Sequence, residues 1–197
     1  MATRAGMGLG LLAAITAAVY VSTLPLGRAG TGPTGSSSGF YPIGSAGEGI
    51  QLGQPAPELD AADGRRALLL DLDGRPIHLA DFAGRPLWIV FWATWCTPCQ
   101  QEAPDIRAAF HAHADDQLAV LAIDLQEPTT AVRDYVRAHD LDYTVGLDPT
   151  AAVMALFRAR GLPSHFFVDA SGVIRARYSG QLTKGLMEQY LAVITPG

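Results

Sequence analysis

The chain has 197 residues, 49% of them hydrophobic and 17% charged, with a formal net charge of −5 and two cysteines. That length suits one ordinary domain with an appendage and not two large domains. The apolar content excludes global disorder, the acidic balance argues against a general nucleic-acid binder, and two cysteines exclude both a cysteine-stapled miniprotein and a zinc site built from two CxxC pairs.

Residues 1–28 read as a membrane anchor. No charged residue lies between Arg4 and Arg28, and Met7 to Leu26 is mostly Leu, Ala, Ile, Val and Gly. About 20 apolar residues of helix span a bilayer core, whereas the apolar region of a signal peptide runs to roughly 7–15. Length therefore favours an uncleaved single-pass anchor. The alternative is a secreted protein cleaved after Ala29, where Gly27 and Ala29 give small residues at the right spacing. Arg4 supplies a weak positive-inside signal, which puts the following domain outside the cytoplasm. Residues 29–50 are rich in Gly, Ser, Thr and Pro, the composition of a flexible linker. With Arg4 and Arg28 set aside, 12 basic residues face 19 acidic ones, a formal charge of −7 on the remainder.

From residue 51 to 197 the pattern is that of one globular domain. Ala67–Asp71 and Pro76–Leu79 flank Asp73-Gly74 and predict a β-hairpin. Leu87–Trp92 is a continuous apolar run, as in a strand buried on both faces. A helix is expected from near Cys96 toward His113, then a second buried strand over Leu118–Ile123. Strand, helix and strand at this spacing imply a parallel, right-handed crossover. Val132, Tyr135 and Val136, and then Val153, Leu156 and Phe157, have helical spacing, with a short strand at Tyr143–Val145 between them. Phe166–Val168 and Val173–Tyr178 form a hairpin around Asp169–Gly172, and an amphipathic helix over Leu186–Ile194 closes the domain. The expected class is α/β: a central mixed sheet flanked by helices, with an N-terminal hairpin and a central α(β) insert.

Both cysteines fall in Cys96-Thr97-Pro98-Cys99, directly after a buried strand and at the start of a helix. Backbone N–H groups and the positive dipole end at that point stabilise a thiolate. Cys96, the outer sulfur, is the candidate nucleophile, and Cys99, one turn inside, forms or resolves a disulfide with it. Pro98 is tolerated in the first turn and stiffens the short ring, so Thr97 and Pro98 are candidates for tuning the redox balance. An inert structural disulfide is disfavoured because so short a loop adds little stability. A metal site is disfavoured because His78, His111, His113, His139 and His165 give no zinc spacing with the cysteines.

The segment Phe91–Pro104, FWATWCTPCQQEAP, resembles the active-site stretch of thioredoxin-like proteins, most closely the membrane-tethered TlpA/ResA type that includes the cytochrome c maturation reductases. Leu52–Pro57, Leu79–Gly84 and Gly161–Asp169 extend the resemblance over about Gln51–Ile194. It implies a thioredoxin-like fold and a cis Leu162–Pro163 bond facing the disulfide, whose backbone pairs with extended substrate. It implies that Glu102, three residues after Cys99, is partly buried and tunes the proton transfers of the cysteines. Trp95 would shield one side of the site, and Pro104 would kink the helix. Thioredoxins proper carry a buried aspartate six residues before the first cysteine; Val90 stands there, which strengthens the case for Glu102. His165 is expected to be structural.

The implied reaction is dithiol–disulfide exchange. A protein disulfide is the substrate, with an apocytochrome c CxxCH segment or a copper-site assembly protein as candidates. Lacking a second cysteine pair, the chain needs an outside donor, in this family a membrane thiol transporter of the CcdA/DsbD type. No cofactor is implied: neither metal, nucleotide nor flavin. The same thiols run in reverse would make an oxidase. A peroxiredoxin would need a PxxxTxxC context, but Thr94 is two residues before Cys96; a Sco-type copper chaperone would need CxxxC.

Overall fold

The computed structural model describes residue 50, residues 52–60 and residues 68–195. The anchor expected over 1–28, and the linker over 29–50 apart from its last residue, lie outside the described residues. Among the described residues no helix is long and apolar enough to cross a membrane.

These residues form strands β1 (Leu70–Asp71), β2 (Leu87–Trp92), β3 (Ala119–Leu125), β4 (Thr144–Asp148), β5 (Ser164–Val168) and β6 (Ile174–Ser179). The helices are α1 (Thr97–Ala112), α2 (Thr129–Ala138), α3 (Ala152–Leu156) and α4 (Lys184–Leu191), with a short 3-10 turn over Leu79–Phe82. Among the described residues the six strands make one mixed sheet in the order β1–β4–β3–β2–β5–β6. β2, β3 and β4 run parallel, with Val90 opposite Ala122 and Trp92 opposite Asp124. β5 runs antiparallel to β2, β6 to β5, and β1 to β4.

β2 is buried at all six positions because both its edges are paired and both its faces are covered. Alternation divides its side chains. Trp88, Val90 and Trp92 enter one core with residues of α1, α2 and α4. Leu87, Ile89 and Phe91 enter a second core with Phe157, Phe166 and Val153 of α3. This is the expected helix-flanked sheet, and it puts the start of α1 at the end of the most constrained strand.

The N-terminal hairpin is present in reduced form. Ile77 N–H donates to Leu69 O, but strand pairing within the hairpin shrinks to one bridge between Leu70 and Pro76. The Asp71 carboxylate takes the N–H groups of Asp73 and Arg75, which tightens the turn, and Pro76 has no N–H to donate. β1 pairs instead with β4, and Leu79 belongs to the 3-10 turn. A further edge contact has no signal in the sequence pattern: Gly53–Ala56 bonds to the backbone of Gly172 and Ile174 beside β6.

Gly146 on β4 lies directly against Leu69 of the hairpin. A Cβ there would lie 2.8 Å from Cγ of Leu69, itself fully buried. Leu69 has no room to withdraw. Gly146→Ala is expected to cost about 1–3 kcal/mol by overpacking, measured as a lower urea midpoint at unchanged slope. An unchanged midpoint would contradict this packing.

Candidate functional site

After Trp92 the chain leaves the sheet through Ala93–Trp95, a turn closed by Cys96 N–H donating to Ala93 O at 3.1 Å. Cys96 is the N-cap of α1, with extended backbone and its sulfur accepting from Cys99 N–H at 3.4 Å. Pro98 occupies the first turn, where its missing N–H costs nothing. The two cysteines are joined as a disulfide. Both are nearly buried, 5% exposed for Cys96 and 3% for Cys99. What separates them is direction. Cys96 opens onto a groove of about 460 Å³ together with Trp95, Thr97 and Pro98, while Leu162, Gly161, Met154 and Leu125 supply other parts of its lining. Trp95 is 66% exposed and forms an apolar lip.

The structure brings Trp95, Cys96, Thr97, Pro98 and Leu162 to one groove. The Leu162–Pro163 peptide is cis. Pro163 is buried, and its carbonyl accepts from Gly180 N–H at 2.9 Å. The Ser164 hydroxyl donates to Gly161 O at 2.7 Å and braces the same turn. Met154 reaches the groove because Asp148 caps α3: its Oδ1 accepts from Ala152 N–H at 2.8 Å and its Oδ2 from Met154 N–H at 2.9 Å. Asp148 is itself fully buried, and burial pushes its carboxyl up against the pull of those N–H groups. Sequence reasoning missed Asp148, Met154 and Leu125. The aspartate four residues before a helical pattern was the available signal for the cap.

Glu102 is not a solvated helix-end glutamate. It is fully buried on the inner face of α1, one turn beyond Cys99. Its Oε2 accepts from Leu182 N–H at 2.9 Å. Its Oε1 has no hydrogen bond among the described residues, although His165 Nε2 lies 3.4 Å away. His165, also fully buried, is anchored at both nitrogens: Trp88 Nε1–H donates to Nδ1 at 3.3 Å, and Gly180 O lies 3.2 Å from Nε2. Since Nδ1 must accept from the indole, the proton of the neutral ring is assigned to Nε2. Burial pushes His165 down to about 3, so it offers Glu102 no positive charge. Burial then pushes Glu102 up to about 8, only partly opposed by Leu182 N–H. A carboxyl with that value is close in acidity to an ordinary thiol. α1 continues through Pro104 to Ala112. Val90 lies in the same core as Cys99, so β2 provides no carboxyl at that point. No cluster of three metal-ligating side chains occurs among the described residues.

Known proteins share this architecture. The AhpC/TSA family matches residues 52–177. Thiol-disulfide oxidoreductase ResA of a Bacillus cereus strain is 30% identical over 151 residues, spanning 76% of this chain and 82% of that protein. ResA of Bacillus subtilis is 25% identical over 152 residues, spanning 76% and 79%. A crystal structure from Chlorobium tepidum, assigned as a thiol:disulfide interchange protein DsbE, superposes with a TM-score of 0.65 at 25% identity, over 73% of this chain and 98% of that one. StoA from Bacillus subtilis superposes with a TM-score of 0.54 at 22% identity, over 62% and 93%, and bears on the fold alone.

The buried acid makes stability depend on pH in a definite direction. A carboxyl raised from 4.5 to about 8 holds its proton in the folded state after the unfolded state has lost it. Its contribution is complete below about 4.5 and is lost as pH rises through about 8. His165 acts in the lower window, losing stability as pH falls below its unfolded value of 6.5 toward about 3. Glu102→Gln isolates the first effect. From about pH 4.5 to pH 8 the variant should gain on the parent by an amount on the order of a few kcal/mol, read by urea unfolding of the oxidised proteins. Parallel pH profiles would return Glu102 to a packing role.

Proposed function

The chain belongs to the AhpC/TSA family, as a thioredoxin-like thiol-disulfide oxidoreductase related to ResA, and from that premise we propose that it is a membrane-held reductase of protein disulfides outside the cytoplasm. One observation carries the reading: Cys96 sits at the N-terminus of α1 and opens onto an apolar-lipped groove beside a cis-proline turn. Such a groove accepts an extended chain, whose disulfide is presented to the sulfur while its backbone runs along Gly161 and Leu162.

In the reduced protein the Cys96 thiolate attacks one sulfur of the substrate disulfide. A mixed disulfide forms, and the first substrate thiolate leaves. Cys99 gives up its proton, to water or to Glu102 when that carboxyl is ionised, attacks the Cys96 sulfur and releases the second substrate thiolate. The substrate gains two electrons, and Cys96–Cys99 loses two. Trp95, Leu162 and Pro163 hold the substrate segment, while Thr97 and Pro98 set how readily the ring closes. An external dithiol must restore the reduced pair, since both cysteines of the chain are already used in it. A membrane thiol transporter of the CcdA/DsbD type is the proposed donor. An oxidised CxxCH segment of an apocytochrome c is the proposed substrate, supported by the resemblance to the ResA type. The uncharged run between Arg4 and Arg28 supports a single-pass anchor.

Two measurements test this reading. Cys96→Ser should abolish reduction of an oxidised CxxCH peptide, and Cys99→Ser should accumulate a mixed disulfide with it. Turnover by the first variant, or no adduct with the second, would overturn the roles. Equilibration with a glutathione redox buffer should give a potential at or below about −230 mV, as befits a reductant; a value of about −120 mV would make the protein an oxidase.

A further inference from the structure

The loop that carries Cys96 is held from outside β2 and α1. Glu127, on the turn between β3 and α2, directs both carboxylate oxygens at Thr94. Oε2 accepts from Thr94 N–H and Oε1 from Thr94 Oγ1–H, each at 2.5 Å. On the other side, Gln100 Nε2 in the first turn of α1 donates to Thr94 O, also at 2.5 Å. Only Trp95 separates this clamp from Cys96. Hydrogen bonds accepted by a carboxylate are the strong, charge-assisted kind. Leu125, two residues before Glu127, lines the same groove as Trp95. Glu127 therefore ties one part of the groove lining to another.

Beside the clamp lies an unexplained acid. Asp124, at the end of β3, is 1% exposed, and neither of its oxygens makes a hydrogen bond of ordinary geometry among the described residues. It pairs in register with Trp92, which ends the strand leading to Thr94. Burial, and then the nearby Glu127 carboxylate, pushes it up to about 8. A second full charge beside Glu127 is thereby avoided, and the two donors of Thr94 remain directed at a single carboxylate.

We infer that Glu127, backed by the buried carboxyl of Asp124, is a positioning residue for the exchange reaction: its clamp on Thr94 sets Trp95 and Cys96 for an extended protein disulfide and leaves the intrinsic reactivity of the dithiol alone. The inference rests on the reductase reading above. It also separates two properties that a purely structural contact would move together. The chemistry belongs to the N-terminus of α1 and to Glu102, whereas the two bonds that Glu127 accepts both come from Thr94. Docking of a long substrate belongs to Trp95 and the groove, to which Thr94 leads.

The test compares two disulfides on the full-length protein. One is an oxidised CxxCH peptide of about ten residues; the other is 5,5′-dithiobis(2-nitrobenzoate), too small to fill the groove. Glu127→Ala should raise KM for the peptide about tenfold, with kcat and the rate on the small disulfide within about twofold of the parent. Glu127→Gln should restore most of the KM, because its amide oxygen accepts from Thr94 N–H and its amide N–H donates to Thr94 Oγ1. Thr94→Val keeps the backbone bond and guards against a misfolded alanine variant; a rise of about threefold is expected. The inference fails if KM is unmoved in both Glu127→Ala and Thr94→Val. It fails equally if both disulfides slow in proportion, or if Gln behaves as Ala. A parent protein that reacts with neither disulfide would refute the reductase reading instead.

Discussion

A backbone N–H donated to a sulfur is the contact on which the rest of this molecule's chemistry depends. By accepting from Cys99 N–H, Cys96 caps α1 with a side chain that is also the reacting group. The helix begins where the sulfur is, so the sulfur meets the positive end of the helix dipole without any added charge. That arrangement requires the strand-to-helix corner to stay fixed. β2 fixes it by being hydrogen-bonded on both edges and buried on both faces. Cis Pro163 and the cap on α3 then bring a second set of residues up to the same corner.

Below that corner the protein keeps acids where salt bridges would be expected. Glu102 has a histidine 3.4 Å away, yet the pair is not an ion pair, because burial and the indole N–H that Nδ1 accepts hold the ring neutral against the pull of Gly180 O. Burying two opposite charges would cost more than their attraction returns unless every lone pair were satisfied. The neutral alternative leaves a carboxylic acid close in acidity to an ordinary thiol. Asp124 shows the same logic next to the active-site turn. Val90 leaves the central strand without a carboxyl, and acids on α1 and at the end of β3 enter the layer between sheet and helix instead.

Much of this was legible in the sequence, for physical reasons. An unbroken apolar run such as Leu87–Trp92 has few alternatives to a central strand, and Cys-Thr-Pro-Cys after it marks a helix start because proline belongs in a first turn. Those two signals placed the cysteine pair at a helix N-terminus behind the central strand, and the apolar run Leu118–Ile123 added the parallel crossover. Apart from the local bonds of Asp148 to α3, the misses depend on partners distant in the chain. Pairing of β1 with β4, the edge contact of Gly53–Ala56 with β6, and the bonds from Glu127 to Thr94 join residues 33 or more apart. Asp124 reads as an ordinary strand-end polar residue until its neighbours bury it. His165 follows the cis proline by two residues, but its two-point anchoring exists only once β2 and β6 flank β5.

The central claim is that Cys96 is the attacking sulfur because it caps α1 and faces the groove, while Cys99 lies one turn inside. Brief alkylation of the fully reduced protein at neutral pH with limiting iodoacetamide, followed by peptide mass mapping, measures this directly. The account predicts label on Cys96 in large excess over Cys99 at early times. Equal labelling of the two, or labelling of Cys99 first, would contradict it.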